Sequence, residues 1–372
     1  MNPLIKQIKK EPVMCAAFLL AVISAFFVPP SPEYTGYIDF STLCILFCLM
    51  TAVAGFKKSG VFDLLTTSLL KSVGTFRGIS FVLVLSCFFL SMFITNDVAL
   101  ITLVPFSIMT LKKAGKENHL IFIVVMQTIA ANMGSMLTPF GNPQNLYLYN
   151  LSGISFSDFI LFMLPLALLS LFLIVISLII RQNDKISTDE KKREKNINLP
   201  KTIAYLVFFV FCLLYVTKIF TFEWYYLLAV AVIFIAITDY RIFKEADYFL
   251  LLTFVFFFIF IGNVGKIESV STALSQLVSG NEFLSGVLSS QIISNVPAAI
   301  LLSAFTNNYN ELLLGVNAGG LGTLIASMAS LISYKLYTAE FPDKKGKYFV
   351  VFTVANVIFL VIVCLFTYLF II

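Results

Sequence analysis

The 372 residues read as an all-α membrane protein, an inverted repeat with about nine spanning helices and two re-entrant hairpins. Three observations lead there. The chain is 59% hydrophobic and only 12% charged, and its apolar runs repeatedly approach or pass the roughly 18 residues that mark a spanning helix. Its Lys and Arg gather in a few connecting segments, which marks those segments as cytoplasmic. A polar triplet set in an apolar stretch, Thr95-Asn96-Asp97, returns in the second half as Ser294-Asn295-Val296.

The first span runs from about Glu11 to Val28, after Lys6, Lys9 and Lys10, and stops at Pro29-Pro30. It is long for the apolar region of a signal peptide and no small-residue cleavage site follows, so it is read as a span with the N-terminus cytoplasmic. The loop 29–36 has no Lys or Arg and faces outside. Span 2 (about Tyr37–Phe56) returns to Lys57 and Lys58. Residues 59–74 carry Val61, Phe62, Leu65, Leu69 and Val73 at helical spacing beside Asp63 and Lys71, the pattern of a helix lying in the interface.

The first hairpin covers 78–111. Its arms, about 17 and 14 residues, would reach roughly 21–25 Å, short of a hydrocarbon core of roughly 30 Å. Lys71 and Arg77 precede it and Lys112, Lys113 and Lys116 follow it, so it opens to the cytoplasm with Thr95-Asn96-Asp97 as its tip. An Asp at that depth costs several kcal/mol and marks a functional site. A competing reading, one long span with Asp97 in a surface loop, would strand Lys112 and Lys113 on the wrong side.

Span 3 starts near His119 and runs into Asn132–Asn145, where Gly134, Pro139, Gly141 and Pro143 cannot continue a regular helix. Irregular backbone at membrane depth must line a cavity or be buried in protein. Thr138, Gly141 and Asn142 would cap a half-helix pointing inward. Span 4 (about Phe156–Ile180) leads to the charged stretch Arg181–Lys201. Span 5 (about Thr202–Phe220) crosses outward, span 6 (about Trp224–Asp239) crosses back, and span 7 (about Tyr248–Gly265) is expected to break at Gly262-Asn263. Residues 267–280 repeat the interfacial pattern.

The repeat follows. Residues 285–305 align without gaps on 86–106 with eight identities in 21, and Ser294-Asn295 falls on Thr95-Asn96. No Lys or Arg closely flanks this second hairpin, 283–306, so it opens outside. Span 8 carries Asn317–Thr323, the counterpart of Asn132–Thr138, and span 9 (about Tyr348–Phe370) leaves. The organisation is a first repeat over 1–181, a cytoplasmic linker over 182–200, a connecting span over 201–222 and a second, inverted repeat over 223–372. Discontinuous elements meeting near the midplane of an inverted repeat are the architecture of an alternating-access transporter.

Other functions lack residues. The net charge of +5 sits in loops and reports topology, with no sign of nucleic-acid binding. The six Cys lie in apolar segments with no His at metal-ligand spacing, and Cys44 and Cys48 read as small buried hydrophobes. No His-Glu-x-x-His, no Gly-x-Ser-x-Gly and no mid-membrane His is present, so no enzyme is expected.

At its tips and breaks the chain resembles the ion transporter superfamily, which includes arsenite permeases, citrate–metal symporters, divalent-anion/sodium symporters and one class of sodium/proton antiporters. Divalent-anion symporters carry Ser-Asn-Thr at each tip. Here Asn96 and Asn295 match and Thr95 and Ser294 match in type, while Asp97 and Val296 depart. An Asn-Asp tip is closer to the arsenite permeases. The run Gly134-Ser135, Thr138-Pro139, Gly141-Asn142-Pro143-Gln144-Asn145 is similar to the carboxylate permeases of the group. The chain is shorter than most of these relatives by about one span per repeat.

The resemblance implies a secondary transporter of a small carboxylate-type anion, coupled to protons or sodium, in a cell inner membrane and as a homodimer. The alternative is an arsenite or metalloid efflux permease or a sodium/proton antiporter. Substrate contacts are expected from Thr95, Asn96, Ser294, Asn295, Thr138, Asn142 and Thr323. The coupling ion is expected at Asp97, Asn96, Gly134, Thr138, Asn295 and Gly319, with no cofactor beyond a co-transported sodium ion or proton.

Overall fold

The computed structural model describes residues 12–62, 64, 68, 73–181, 183 and 198–372. Lys6, Lys9, Lys10 and Glu11, much of the expected interfacial helix 59–74 and most of the 182–200 linker lie outside the described residues. The described residues form helices and no strands.

Helix α1 is Pro12–Phe27 and α2 is Phe40–Ser59. Asp39 caps α2 by accepting from the Thr42 N–H, and Gly60 ends it at φ 83°, a left-handed value that glycine adopts without Cβ cost. The first hairpin is α3 (Phe76–Ile94) and α4 (Asn96–Lys113). The first broken helix is α5 (Leu120–Ser135) and α6 (Pro143–Ser152). Single helices follow: α7 (Phe156–Ile179), α8 (Leu199–Val216), α9 (Trp224–Asp239), α10 (Tyr248–Lys266) and the short α11 (Glu268–Val278). The second hairpin is α12 (Glu282–Ile293) and α13 (Asn295–Ser303). The second broken helix is α14 (Tyr309–Ala318) and α15 (Met328–Glu340), and α16 (Lys345–Phe370) closes the chain.

Seven of the described helices are long and apolar enough to cross a membrane: α2, α3, α7, α8, α9 with its 3-10 extension, α10, and α16 with its preceding turn. Six of these, leaving out the hairpin arm α3, are among the expected nine crossings; the other three are α1, at 16 residues, and the two broken helices, each one path interrupted midway.

Three expectations change. The arms of the first hairpin are longer than read, at 19 and 18 residues, so they reach roughly 27–28 Å. Length therefore does not make this segment a hairpin; its contacts do. The Phe76 ring at the start of α3 stands 4.4 Å from the His119 ring just after α4, so the two open ends meet. In the second hairpin, with arms of 12 and 9 residues, the Thr306 hydroxyl donates to Glu282 Oε1 at 2.7 Å and closes the open end in the same way.

The tips are also shorter than a triplet. A single residue breaks each hairpin, Thr95 at φ 69°, ψ 151° and Ser294 at φ 76°, ψ 152°. Asn96 and Asp97 already belong to the first turn of α4. This backbone region is almost exclusive to glycine and costs on the order of 1–3 kcal/mol. The same strain at two matched positions identifies the tips as equivalent devices.

Finally, α10 runs unbroken through Gly262-Asn263. Gly262 lies under the Tyr37 ring, and Asn263 Nδ2 donates to Ser24 Oγ at 3.0 Å and to the Tyr34 hydroxyl at 2.9 Å. The pair packs α10 against α1 and its following turn. The side-chain nitrogen finds its acceptors sideways, and the backbone ladder stays intact.

Cross-chain contacts mark two opposite ends of the bundle. Arg77 Nη2 donates to the Arg181 carbonyl at 2.8 Å, Lys112 pairs with Glu340, and Lys58 pairs with Asp239 at 2.8 Å. At the far end Asn150 Nδ2 donates to Thr42 Oγ1, the Tyr147 hydroxyl meets Ser303 Oγ, and Lys266 pairs with Glu33. The first hairpin thus opens beside the start of α5, whereas the second opens beside the end of α6. Among the described residues, Lys218 and Lys266 are the basic side chains of the far end; the others lie at the first.

Two substitutions test this packing. A Cβ at Gly134 would run into the Phe88 carbonyl of α3, so Gly134→Ala should lower stability by about 1–3 kcal/mol, read as a depressed melting temperature in detergent. At the tip, Thr95→Gly should melt higher than Thr95→Ala by about 1 kcal/mol or more, because only glycine relieves the positive φ.

Candidate functional site

Both breaks face the same physical problem. A helix that stops inside a membrane leaves N–H and C=O groups without intrahelical partners, and no bulk water reaches them. In the first break, Asn142 Oδ1 caps α6 by accepting from the Asn145 N–H at 2.9 Å. Asn145 Nδ2 in turn donates to the carbonyls of Met136 (3.0 Å) and Thr138 (3.1 Å).

Each hairpin tip then docks on its break. The Asn96 N–H donates to the Gly141 carbonyl at 3.2 Å and the Asn295 N–H to the Ala326 carbonyl at 2.9 Å. Thr138 Oγ1 donates to the Met92 carbonyl at 2.5 Å and Thr323 Oγ1 to the Gln291 carbonyl at 3.0 Å. Every one of these pairs is a match under the correspondence of Asn132–Thr138 with Asn317–Thr323 and of the two tips.

The two breaks clasp each other. Asn132 Oδ1 accepts from Asn96 Nδ2 at 3.0 Å and from Ser327 Oγ at 2.9 Å, and Asn132 Nδ2 donates to the Gly320 carbonyl at 3.3 Å. On the other side Asn317 Oδ1 accepts from Asn142 Nδ2 at 3.3 Å, and Asn317 Nδ2 donates to Asn145 Oδ1 at 2.6 Å. Asn132 and Asn317 are 4% and 3% exposed. Amides that carry both donors and acceptors suit a closed network of this kind.

One flank of the clasp is hollow. A cavity of about 340 Å³ is walled by α2 from Leu46 to Lys57, by the tip residues Thr95 and Asp97, by Phe140, Asn142 and Pro143 of the first break, and by Met328 and Ile332 of α15. Glu245 and Asp247, from the turn between α9 and α10, complete it. Asp97 Oδ1 is shut off from solvent and meets no donor. Its other surroundings are mostly apolar, and Lys57 is the only basic group in the lining.

The expected residues separate into groups. Thr95, Asp97 and Asn142 line the cavity, but the Asn142 amide is already engaged in the cap and the clasp. Asn96 and Thr138 are buried and bonded to protein. Ser294 and Asn295 are buried at the second tip, away from the cavity lining; the Asn295 side chain lies against Gly320. Thr323 is exposed, its hydroxyl and N–H tied to Gln291. Gly134 and Gly319 allow close approach, the first to the Phe88 carbonyl and the second to Ser290.

Three charged lining residues escape the sequence reading. Asp247 and Glu245 fall in a segment end that reads as a watery loop, and Lys57 reads only as a topology signal. The turn between α9 and α10 packs on α2, with Phe243 and Tyr248 against Phe47, and this sets Glu245 and Asp247 in one lining with Lys57 and Asp97. The charge of the Lys57 and Asp247 positions was visible; their shared cavity was not.

A model of the citrate transporter family matches residues 4–311. The chain is 33% identical over 308 residues to an uncharacterized transporter of Methanocaldococcus jannaschii, covering 82% of this chain and 83% of that one. It is 32% identical over 343 residues to the inner membrane protein YbiR of Escherichia coli (strain K12), covering 90% of both. With a family match over most of its length, and with hairpins and broken helices closing on one polar centre, this chain belongs to the citrate transporter family of membrane permeases.

Proposed function

We propose that the chain is a secondary active transporter that moves a small carboxylate-type anion together with protons or sodium by alternating access, with Asp97 as the coupling group. The observation that carries this reading is the unpartnered Asp97 Oδ1 in the wall of a cavity at the hairpin tip. A buried carboxylate without a donor is stable only when it takes a proton or a cation. An anion entering the same cavity is repelled by ionised Asp97 and admitted once that charge is neutralised. That dependence couples the two fluxes. Lys57, the one basic lining residue, supplies attraction for the anion, and the N-terminus of α6 reaches the wall through Pro143.

The basic end of the bundle is read as cytoplasmic, which makes the second hairpin's half an inverted copy and leaves the N-terminus inside. Under this reading the cavity, rimmed by Lys57 and Glu245, faces the cytoplasm. Cysteines introduced at Lys113 and at Asn307, in a background lacking the native cysteines, should react with an impermeant reagent from opposite faces. Reaction from one face would end the inverted arrangement.

A second reading draws on the charge of the lining. Three carboxylates against one lysine favour a cation over a free polyanion, which supports sodium/proton exchange or metalloid efflux. Proteoliposomes loaded with citrate, succinate, arsenite or sodium separate these by counterflow. Asp97→Asn keeps the shape and removes the charge. It should retain substrate counterflow while losing at least tenfold of the stimulation by a pH or sodium gradient. Gradient-driven uptake equal to wild type would move coupling away from Asp97.

A further inference from the structure

We propose that Asp247 is a second coupling carboxylate, and that Asp97 and Asp247 together hold one sodium-sized cation in the cavity. This rests on the reading of Asp97 as the coupling group and names the ligand and the missing half of its site. Both residues line the same 340 Å³ cavity, Asp97 at the tip of the first hairpin and Asp247 at the start of α10.

Each carboxylate sits where a helix begins. Asp97 lies in the first turn of α4, and Asp247 caps α10 by accepting from the Leu250 N–H at 2.9 Å. Helix N-termini favour the ionised form of such groups. Two ionised carboxylates facing one cavity repel each other, and a cation between them relieves that repulsion. Asp97 Oδ1, sheltered and without a donor, is the oxygen left for that cation.

The charges around the pair are few. Lys57 comes from α2 and Glu245 from the turn that carries Asp247; the first break and α15 contribute none to the lining. The cavity therefore holds a surplus of negative charge that one lysine does not cancel. Carboxylate and hydroxyl oxygens, with Thr95 beside Asp97, suit a hard cation. Among the described residues no group of three acidic, Cys or His side chains closes on a common metal position. Two carboxylates alone make a weak and exchangeable site, as a transported ion requires, and point to an alkali cation over a resident divalent one.

Substitution by Asn separates charge from structure at both positions. Asn is as good a helix cap as Asp, so Asp247→Asn keeps the start of α10, and Asp97→Asn is isosteric. The measurement is equilibrium binding of radioactive sodium to the purified full chain in detergent, with unlabelled sodium, choline, magnesium and protons as competitors. Monodispersity and melting temperature confirm that each variant is folded. The wild type should bind sodium, lose it to unlabelled sodium and at acid pH, and ignore choline and equimolar magnesium. Asp97→Asn and Asp247→Asn should each weaken binding about tenfold or more, while Asp158→Asn at the opposite end should bind as wild type.

Wild-type sodium affinity in Asp247→Asn would overturn the inference and leave the role of Asp97 standing. Equal displacement by magnesium, or no sodium binding by the wild type at any pH, would also overturn it. Because binding is read without transport, a failure of gradient-driven counterflow is a separate result and bears on the function proposed above.

Discussion

A helix cannot end in the middle of a bilayer unless something satisfies its last carbonyls and first amides, and this chain ends helices there repeatedly. Two hairpin tips and two breaks bring these ends together at one centre. The solution is mutual. Each tip donates its backbone N–H to a carbonyl of a break, each break's threonine hydroxyl donates back to the hairpin arm, and asparagine side chains fill the remaining places. Individual hydrogen bonds in membranes contribute modestly, about 0.6 kcal/mol on average. Leaving one of these groups unmade in an apolar interior costs more than that, so the network fixes the geometry through the penalty for breaking it.

The two halves meet this constraint with the same registration but not the same residues. Where the first break uses Asn142 and Asn145, the second uses Ser327 and Ser330, and these face Asn317 and Asn132 respectively across the clasp. Amides on one side and hydroxyls on the other leave room of different shapes. The larger departure is at the tips, where Asp97 stands opposite Val296 in the correspondence. At the tips the correspondence is broken by a charge, and the cavity lies on the charged side. Alternating access needs two similar halves that exchange roles, while coupling needs only one titratable or cation-binding group.

Glycine and strain support the same centre from outside. Gly134 and Gly319 bring their helices against the hairpin arms at matched places, and Gly315 lies against the Phe283 carbonyl. Small residues at such crossings let backbones approach where no hydrophobic driving force exists between helices. Thr95 and Ser294 are held at positive φ because the docked tips leave no other path from one arm to the next. Residues that could have been glycine instead carry a hydroxyl at the tip.

Much of this was legible in the residues. Apolar runs and the distribution of Lys and Arg marked the helices and the basic end, because the bilayer imposes composition and charge rules that act locally along the chain; the hairpins were marked by their polar tips and not by the length of their arms. The internal match of the tips and of Asn132–Thr138 with Asn317–Thr323 determined which segments are equivalent. Folding alone decided what those segments do with their side chains. The amides and threonines that read as ligands for a substrate are largely spent on holding the breaks, since a broken helix consumes its nearest polar groups first. The Gly262-Asn263 pair that reads as a break is a packing contact, because Asn263 found partners on a neighbouring helix. Asp247, unremarkable at the start of an apolar segment, shares a cavity with Asp97 only because the turn before α10 packs on α2, a juxtaposition of residues far apart in the chain that local rules do not encode.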